Sequence, residues 1–354
     1  GIAYVGSSIQ GELNYPNAEY VSDTMAWNFF LYYLLDVPNN WQNTDKITYY
    51  EMGLDQWSSS NNTNIAASST DALYLDGLSL IPQNGTGSSS FISDPSNPSP
   101  TIGGATLYTT LDQGPYDQSS LEGRSDIVTF STQVLSSDVS ISGRVKLQLY
   151  LESDQPDCDI VVRLVDVYDN GDNMLITDGI KRLRFRNGYQ QVDESFMSPG
   201  AIYNVDIDLP FTNYTWMSGH QIKVYLSGNS SYRWDVNLQN GGTMYVAGDT
   251  IVATITIHHD AANPSRIVLP GSNPVLSNDK VTNSSVSIYP NPAMDQLFIE
   301  AESIIDAVII NDMTGRTLFS SSLHPKEINI AKYLPGMYLV SLKTKDGWVK
   351  KRFI

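Results

Sequence analysis

Cysteine is all but missing. Cys158 is the one thiol in 354 residues, so no disulfide can form within the chain. Set inside an apolar, strand-like run, it reads as a small buried residue and not as a reactive thiol. Basic residues are scarce too: Lys and Arg total 21 against 38 Asp and Glu, a formal charge of −17. That balance argues against a nucleic-acid partner, because phosphate backbones select basic surfaces. It fits a soluble, extracellular protein whose molecules repel one another. No run is long and apolar enough to span a membrane. Gly1 is neither an initiator Met nor the start of a signal peptide, so the chain is expected to begin inside a longer protein.

What is present is β-structure. With 41% apolar residues the chain can bury a core, and its length predicts about two domains. Between Leu121 and Arg186, short runs alternate apolar and polar residues: Val145, Leu147 and Leu149, then Ile160, Val162, Leu164 and Val167, then Ile180, Leu183 and Phe185. Asp/Asn/Gly clusters separate them, the pattern of half-buried antiparallel strands. Similar runs at Ala72–Leu80 (with a tight turn at Asp76-Gly77), Tyr203–Leu209 (stopped by Pro210), 221–226 and 250–258 predict a mainly β fold, a β-sandwich of jelly-roll type. Asp94–Gly104 holds three prolines and is expected to be irregular. Near the N-terminus Tyr20–Leu35 predicts one helix, capped by Asn17 after Pro16 and ended by Pro38. It is apolar nearly all round, which suits burial between other elements. A strand at Lys46–Met52 follows, closed by Gly53, then a polar loop or edge at Ser58–Thr70. Gly271–Ser285 is polar and aperiodic, a linker. A compact β module follows, with strands expected at Leu297–Ile299, Ala307–Ile310, Ile328–Ile330 and Met337–Leu342.

Several of these stretches carry a family resemblance. Glu122-Gly123-Arg124-Ser125-Asp126-Ile127, Asp157-Cys158-Asp159, Leu164-Val165-Asp166-Val167, Asp178-Gly179-Ile180, Gly219-His220-Gln221-Ile222 and Pro264-Ser265-Arg266-Ile267-Val268-Leu269-Pro270 resemble the C-terminal jelly-roll (galactose-binding-like) domain of X-prolyl dipeptidyl-peptidase and cocaine-esterase (CocE/NonD) hydrolases. The likeness runs from about Tyr49 to Pro270. Gly53 and Trp57 match the turn that closes the α/β-hydrolase domain in that family. Ile288-Tyr289-Pro290-Asn291-Pro292, Gly315, Leu334-Pro335-Gly336-Met337-Tyr338 and the basic end Lys350-Lys351-Arg352-Phe353-Ile354 resemble the C-terminal sorting domain of the type IX secretion system of Bacteroidetes-type bacteria. The resemblance implies four segments: 1–53, a remnant of an α/β-hydrolase domain; 54–270, the non-catalytic jelly roll; 271–285, a linker; and 286–354, a small β-sandwich sorting domain, commonly removed during export.

The relatives are serine hydrolases, so a Gly-x-Ser-x-Gly elbow is the feature to look for. Gly77-Leu78-Ser79-Leu80-Ile81 and Gly228-Asn229-Ser230-Ser231-Tyr232 both lack its second glycine. The family's nucleophile, acid and base all precede the residue equivalent to Gly1, so no catalytic residue is expected here. His220 reads as a structural residue satisfied by backbone carbonyls. His258 and His259 are adjacent, so a strand would point them to opposite faces, and they make a poor metal pair. His324 stands alone in the tail. Asp166 to Asn173 could supply oxygens to Ca²⁺, but the run lacks a calcium loop's spacing and terminal Glu and reads as turn chemistry. No metal and no cofactor is expected. Arg124 and Asp126 are expected in a polar network at a domain seam. Arg182, Arg184 and Arg186 should share one strand face and pair with the acids around Asp157. By alignment with cocaine-esterase-like relatives, the resemblance implies that Leu149 and Tyr150 help wall the acyl pocket; plain core and edge packing is the alternative.

The implied reading is the C-terminal part of an exported hydrolase acting on a small peptide, amide or ester, partnered by an N-terminal α/β-hydrolase domain and the type IX machinery. The alternative is a secreted, non-catalytic module that binds carbohydrate or protein.

Overall fold

Every second side chain of the 15-residue strand Val139–Ser153 is buried, as its alternating sequence requires. Leu147, Leu149 and Leu151 have no exposed surface, and each such burial stabilises the fold by roughly 1.5–3 kcal/mol. The computed structural model describes residues 6–106, 110–271, 286–301, 305–312, 317–321, 325–334, 336, 338–344 and 347–353. The chain divides into two compact units, Gly1–Leu276 and Ser277–Ile354.

The long strand is the spine of the first unit. On one side it pairs antiparallel with Tyr203–Trp216. On the other it pairs with Arg266–Pro270 and then with Ala253–His258. Thr70–Asp76 extends this layer through Arg266–Pro270, and Ser88–Ser93 extends it through Ala253–His258. A second group pairs Asn173–Arg182 with Asp159–Val167, then Gln221–Ser227, then Ile127–Ser131. Both groups feed one apolar core, Leu147 and Ile255 from the first and Ile160, Val162 and Val224 from the second. The fold is a β-sandwich, mainly β as expected. Asp159–Val167 is buried at eight of its nine residues, because its other face is covered too: Val165 packs there with Leu121, Leu175 and Tyr225.

The structure corrects several expectations. Pro210 does not end its strand, which runs on to Trp216. The register shifts between Arg144 and Lys146, so Leu209 and Pro210 together oppose Val145. At that bulge a residue without an N–H breaks no ladder bond. The hairpin at Asp76-Gly77 forms as expected, with Leu75 opposite Leu80 and Gly77 at φ +59°. Asp94–Gly104 is irregular except for Ser99–Pro100, which pairs with Ser230–Ser231, and Gly104, which bridges to Gly114. The helix spans Val21–Leu35, but its N-cap is Tyr20, in the left-handed region and without a side-chain cap, not Asn17. None of its residues is buried, whereas its all-round apolarity predicted burial. Ile47–Glu51 pairs with Gln56–Ser60, so Ser58–Ser60 are strand. At Gly53 a Cβ would lie 2.1 Å from the Thr215 carbonyl oxygen; only glycine lets this hairpin approach the sandwich.

The second unit has two sheets. Val286–Tyr289, Gln296–Ala301 and Glu327–Asn329 form one; Thr317–Ser321, Ile305–Asp312, Tyr338–Thr344 and Gly347–Phe353 form the other. Leu297, Ile299, Val308, Ile310, Ile328, Val340 and Leu342 fill its own core. Three of these strands, Val286–Tyr289, Thr317–Ser321 and Gly347–Phe353, were not anticipated. The linker residues 272–285 and Gly315, His324, Pro335, Met337 and Ile354 lie outside the described residues.

Candidate functional site

An apolar helix offered to solvent is the most unusual surface of the first unit. Trp27 is 63% exposed, Leu34 69% and Leu35 66%, and Phe29, Phe30 and Tyr33 join them. Soluble surfaces rarely present so large a contiguous apolar area without a partner. The segment that leads into the helix is held firmly. Trp57 Nε1 donates to the Asn17 carbonyl at 2.9 Å and Tyr50 Oη to that of Pro16 at 3.0 Å. Tyr15, Tyr50 and Trp57 stack edge to face at 5.7 and 5.2 Å. Burial pushes the Tyr15 hydroxyl well up. The Met52 carbonyl accepts from Thr215 N at 2.9 Å, tying the hairpin to the sandwich.

A buried charge network lies at the end of strand Asp159–Val167. Arg182 pairs with Asp159 through Nε and Nη2, both at 2.9 Å, and Arg184 Nε reaches Asp157 at 2.7 Å. Asn237 Nδ2 donates to both acids at 2.8 Å. The pairing with these acids is as expected, but the shared strand face is not. The strand stops at Arg182, and Leu183–Phe185 is a 3₁₀ turn. Asp157 Oδ1 accepts Arg184 N at 2.9 Å and Cys158 O accepts Leu183 N at 2.9 Å, which pulls the backbone out of the ladder. Arg186 turns away and stacks on Tyr203 at 4.4 Å. Cys158 has no exposed surface. Burial, then the Asp157 and Asp159 charges, pushes its thiol well above the ordinary range, so it is inert.

Arg163 was not singled out from the sequence. Its guanidinium bonds the hydroxyls of Ser99, Ser227 and Ser230 and the Pro100 carbonyl at 2.9–3.2 Å. Burial pulls it down to about 10. It clamps the short paired strands Ser99–Pro100 and Ser230–Ser231 onto the sheet. Arg124 and Asp126 pair with each other in a two-pronged contact at 2.8 Å.

His220 is satisfied by a carboxylate and not by backbone carbonyls: Nδ1 lies 2.9 Å from Asp166 Oδ2. Tyr214 donates to the same oxygen at 2.8 Å, and the Tyr168 ring lies 4.7 Å away. His258 and His259 diverge, as alternation predicts. His258 Nε2 lies 3.5 Å from Glu152; His259 Nε2 lies 3.0 Å from Ser89 Oγ. The Ser89–His259 contact has a nucleophile's distance but not its setting. His259 is 1% exposed, and its Nδ1 has no hydrogen-bond partner among the described residues, so no carboxylate orients the ring. The 168–173 segment closes as a turn, Tyr168 N donating to Asp172 O and Asp172 N to Asn170 Oδ1.

Leu149 and Tyr150 point to opposite faces. Leu149 is wholly buried in the core opposite Val205. Tyr150 is half-buried on the outer face, opposite Asn204 and His258. Of the two, only Tyr150 can meet anything outside the sandwich.

The first unit is thus a β-sandwich with buried Arg–Asp pairs and an exposed apolar helix. Residues 39–268 match the family described as the X-Pro dipeptidyl-peptidase C-terminal non-catalytic domain. The match takes in more than half of the chain, which therefore belongs to that family. Residues 287–354 match the secretion system C-terminal sorting domain, which marks the chain for export. The cocaine esterase of Rhodococcus sp. (strain MB1 Bresler) is 30% identical over 270 residues, 72% of this chain and 46% of the relative. Among solved structures, an alpha-amino acid ester hydrolase superposes with a TM-score of 0.67 at 24% identity, covering 74% of this chain and 47% of its own. An aminopeptidase from the marine sediment archaeon Thaumarchaeota archaeon gives 0.64 at 20%, covering 75% and 46%. Both show the same fold. The chain spans about half the length of the relatives it matches.

Proposed function

We propose that this chain is the non-catalytic C-terminal part of an exported serine hydrolase that cleaves a small ester, amide or peptide through an acyl-serine intermediate. The observation that carries this reading is the helix Val21–Leu35, apolar yet without a buried residue. An N-terminal α/β-hydrolase domain, holding nucleophile, acid and base, is the partner that would cover it. The names of the relatives, esterase, ester hydrolase and aminopeptidase, support acyl transfer to water as the reaction class. The type IX secretion system is the proposed route, with the cell surface or medium as destination.

A fluorophosphonate probe tests the assignment. The intact gene product should be labelled, and the 354-residue chain alone should not. Trp27→Asp with Leu34→Asp, both at exposed positions, should change the chain's own stability by less than about 0.5 kcal/mol. In the intact product the same pair should slow labelling on the order of a hundredfold through misplaced domains. Labelling of the chain alone would overturn the proposal.

Tyr150 is proposed as part of the acyl-pocket wall, with Leu149 supporting its strand from inside the core. Tyr150→Ala in the intact enzyme should lower kcat/KM by about tenfold with little change in melting. Leu149→Ala should instead cost about 2–5 kcal/mol of stability. Unchanged kinetics in Tyr150→Ala would remove it from the pocket.

A further inference from the structure

On the outer side of the strand Asp159–Val167, an amine, a carboxamide and a carboxylate meet. Lys223, on Gln221–Ser227, donates from Nζ to Glu122 Oε1 and, at 3.3 Å, to Asn173 Oδ1. Asn173 opens the strand Asn173–Arg182. The two strands are not neighbours, because Asp159–Val167 runs between them. Lys223 stands opposite Val165 and Asn173 opposite Val167, so both side chains lie on one face and reach towards each other.

Each partner is held in place. The Asn173 N–H donates to Asp117 Oδ1 at 2.8 Å, and its carbonyl accepts Gln118 N at 2.9 Å. Its Nδ2 donates to the Gly171 carbonyl at 3.2 Å, so the amide nitrogen faces an exposed turn while its oxygen faces the lysine. Tyr225, wholly buried, fixes the carboxylate by donating to Glu122 Oε1 at 2.8 Å. The Lys223 side chain is only 15% exposed, whereas Glu122 at 43% reaches water. Nucleophile and carbonyl are thus nearly dry, and protons have a way out.

An amine beside a carboxylate has a base to take its proton, and reactants held in contact need no encounter. Burial raises the Glu122 carboxyl, but the hydrogen bonds from Lys223 and Tyr225 outweigh it and hold the group below its ordinary range. The resting pair is therefore ionic. Moving one proton from Nζ to Oε1 along their hydrogen bond yields a free amine and a neutral carboxyl without changing the net charge. That form need be visited only rarely, since the reaction happens once in the life of the molecule.

We propose that Lys223 and Asn173 join in an intramolecular amide bond, with Glu122 carrying the protons. The Nζ electron pair adds to Asn173 Cγ, and the bond from Cγ to Nδ2 breaks. Nζ passes two of its three protons through Glu122 to Nδ2, which leaves as ammonium past the Gly171 turn. Glu122 ends as the carboxylate it was, and the positive charge departs with the ammonium. The product ties two strands together across a third and closes a loop between residues 50 apart in sequence. A chain with one cysteine has no disulfide to do this. The bond is independent of the hydrolase assignment.

Intact-mass spectrometry of the purified full chain tests it. The mass should fall short of the sequence mass by one ammonia, and a tryptic digest should contain a branched peptide joining Asn173 to Lys223. Lys223→Arg, which keeps the positive charge, should restore the full sequence mass. Glu122→Gln, which keeps a hydrogen-bonding group but removes the base, should restore it as well. Two results would overturn the proposal. One is a wild-type chain with no species lighter by one ammonia after prolonged incubation in the folded state. The other is an ammonia loss that persists in Lys223→Arg, which would place it in an asparagine succinimide elsewhere in the chain.

Discussion

Asp157→Ala should lower the stability of the first unit by about 3–5 kcal/mol, the usual cost of removing one member of a buried ion pair. Asp157 has no exposed surface and accepts three hydrogen bonds, from Arg184 N, Arg184 Nε and Asn237 Nδ2. Its loss leaves a guanidinium that is 4% exposed with only Glu194 as counter-charge and frees the 3₁₀ turn that Arg184 N anchors. In a unit of this size each kcal/mol moves the midpoint by about 2–4 °C, so melting should fall by roughly 10 °C. Urea denaturation followed by tyrosine and tryptophan fluorescence measures it. Removing both charges, as Asp157→Leu with Arg184→Met, should cost clearly less than Asp157→Ala, because the one carboxylate then left without its arginine, Glu194, is a third exposed and water can solvate it. A loss below about 1 kcal/mol for Asp157→Ala would mean that water reaches the pair and that it locks nothing.

Removing residues 287–354 should have the opposite profile, with almost no effect on folding and a near-complete effect on export. The two compact units have separate cores, so the first should melt within about 0.5 kcal/mol of its value in the intact chain. If the tail is the secretion address, the shortened protein should accumulate inside the cell while the full chain appears at the surface or in the medium. Immunoblots of fractionated cultures read this directly. Undiminished export of the shortened protein would remove the type IX assignment and leave the tail an ordinary β module.

What was legible in the sequence follows the range of each interaction. Alternation at Val145, Leu147 and Leu149 and at Ile160, Val162 and Leu164 is a nearest-neighbour signal, and those residues are buried as it requires. The hairpin at Gly77 is equally local. Pro210 was misread because its meaning depends on a partner strand: the bulge exists only in the pairing with Arg144–Lys146. The arginine run at 182–186 was misread for the same reason, since Asp157 and Cys158 draw the backbone into a turn. His220 and Asp166 lie 54 residues apart; only the register that sets Asp166 beside Ile222 brings them together. Helix Val21–Leu35 was read correctly as a helix and wrongly as buried, because all-round apolarity states a need for cover without saying where the cover is.

The sheet order also sets a timetable. Tyr74 and Arg266, 192 residues apart, meet through a hydrogen bond between adjacent strands, and the spine has no complete set of neighbours until Arg266–Pro270 is available. A chain emerging from the ribosome must therefore carry Thr70–Asp76 with only its hairpin partner Ser79–Ile81, its other edge open, until nearly the whole sandwich has been made. Contacts this distant in sequence give high contact order, slow folding and a long interval in which apolar strands can meet the wrong partner. For a polypeptide that must leave the cell, that delay has a use: translation and early transport can proceed before the barrier to a locked native state is crossed.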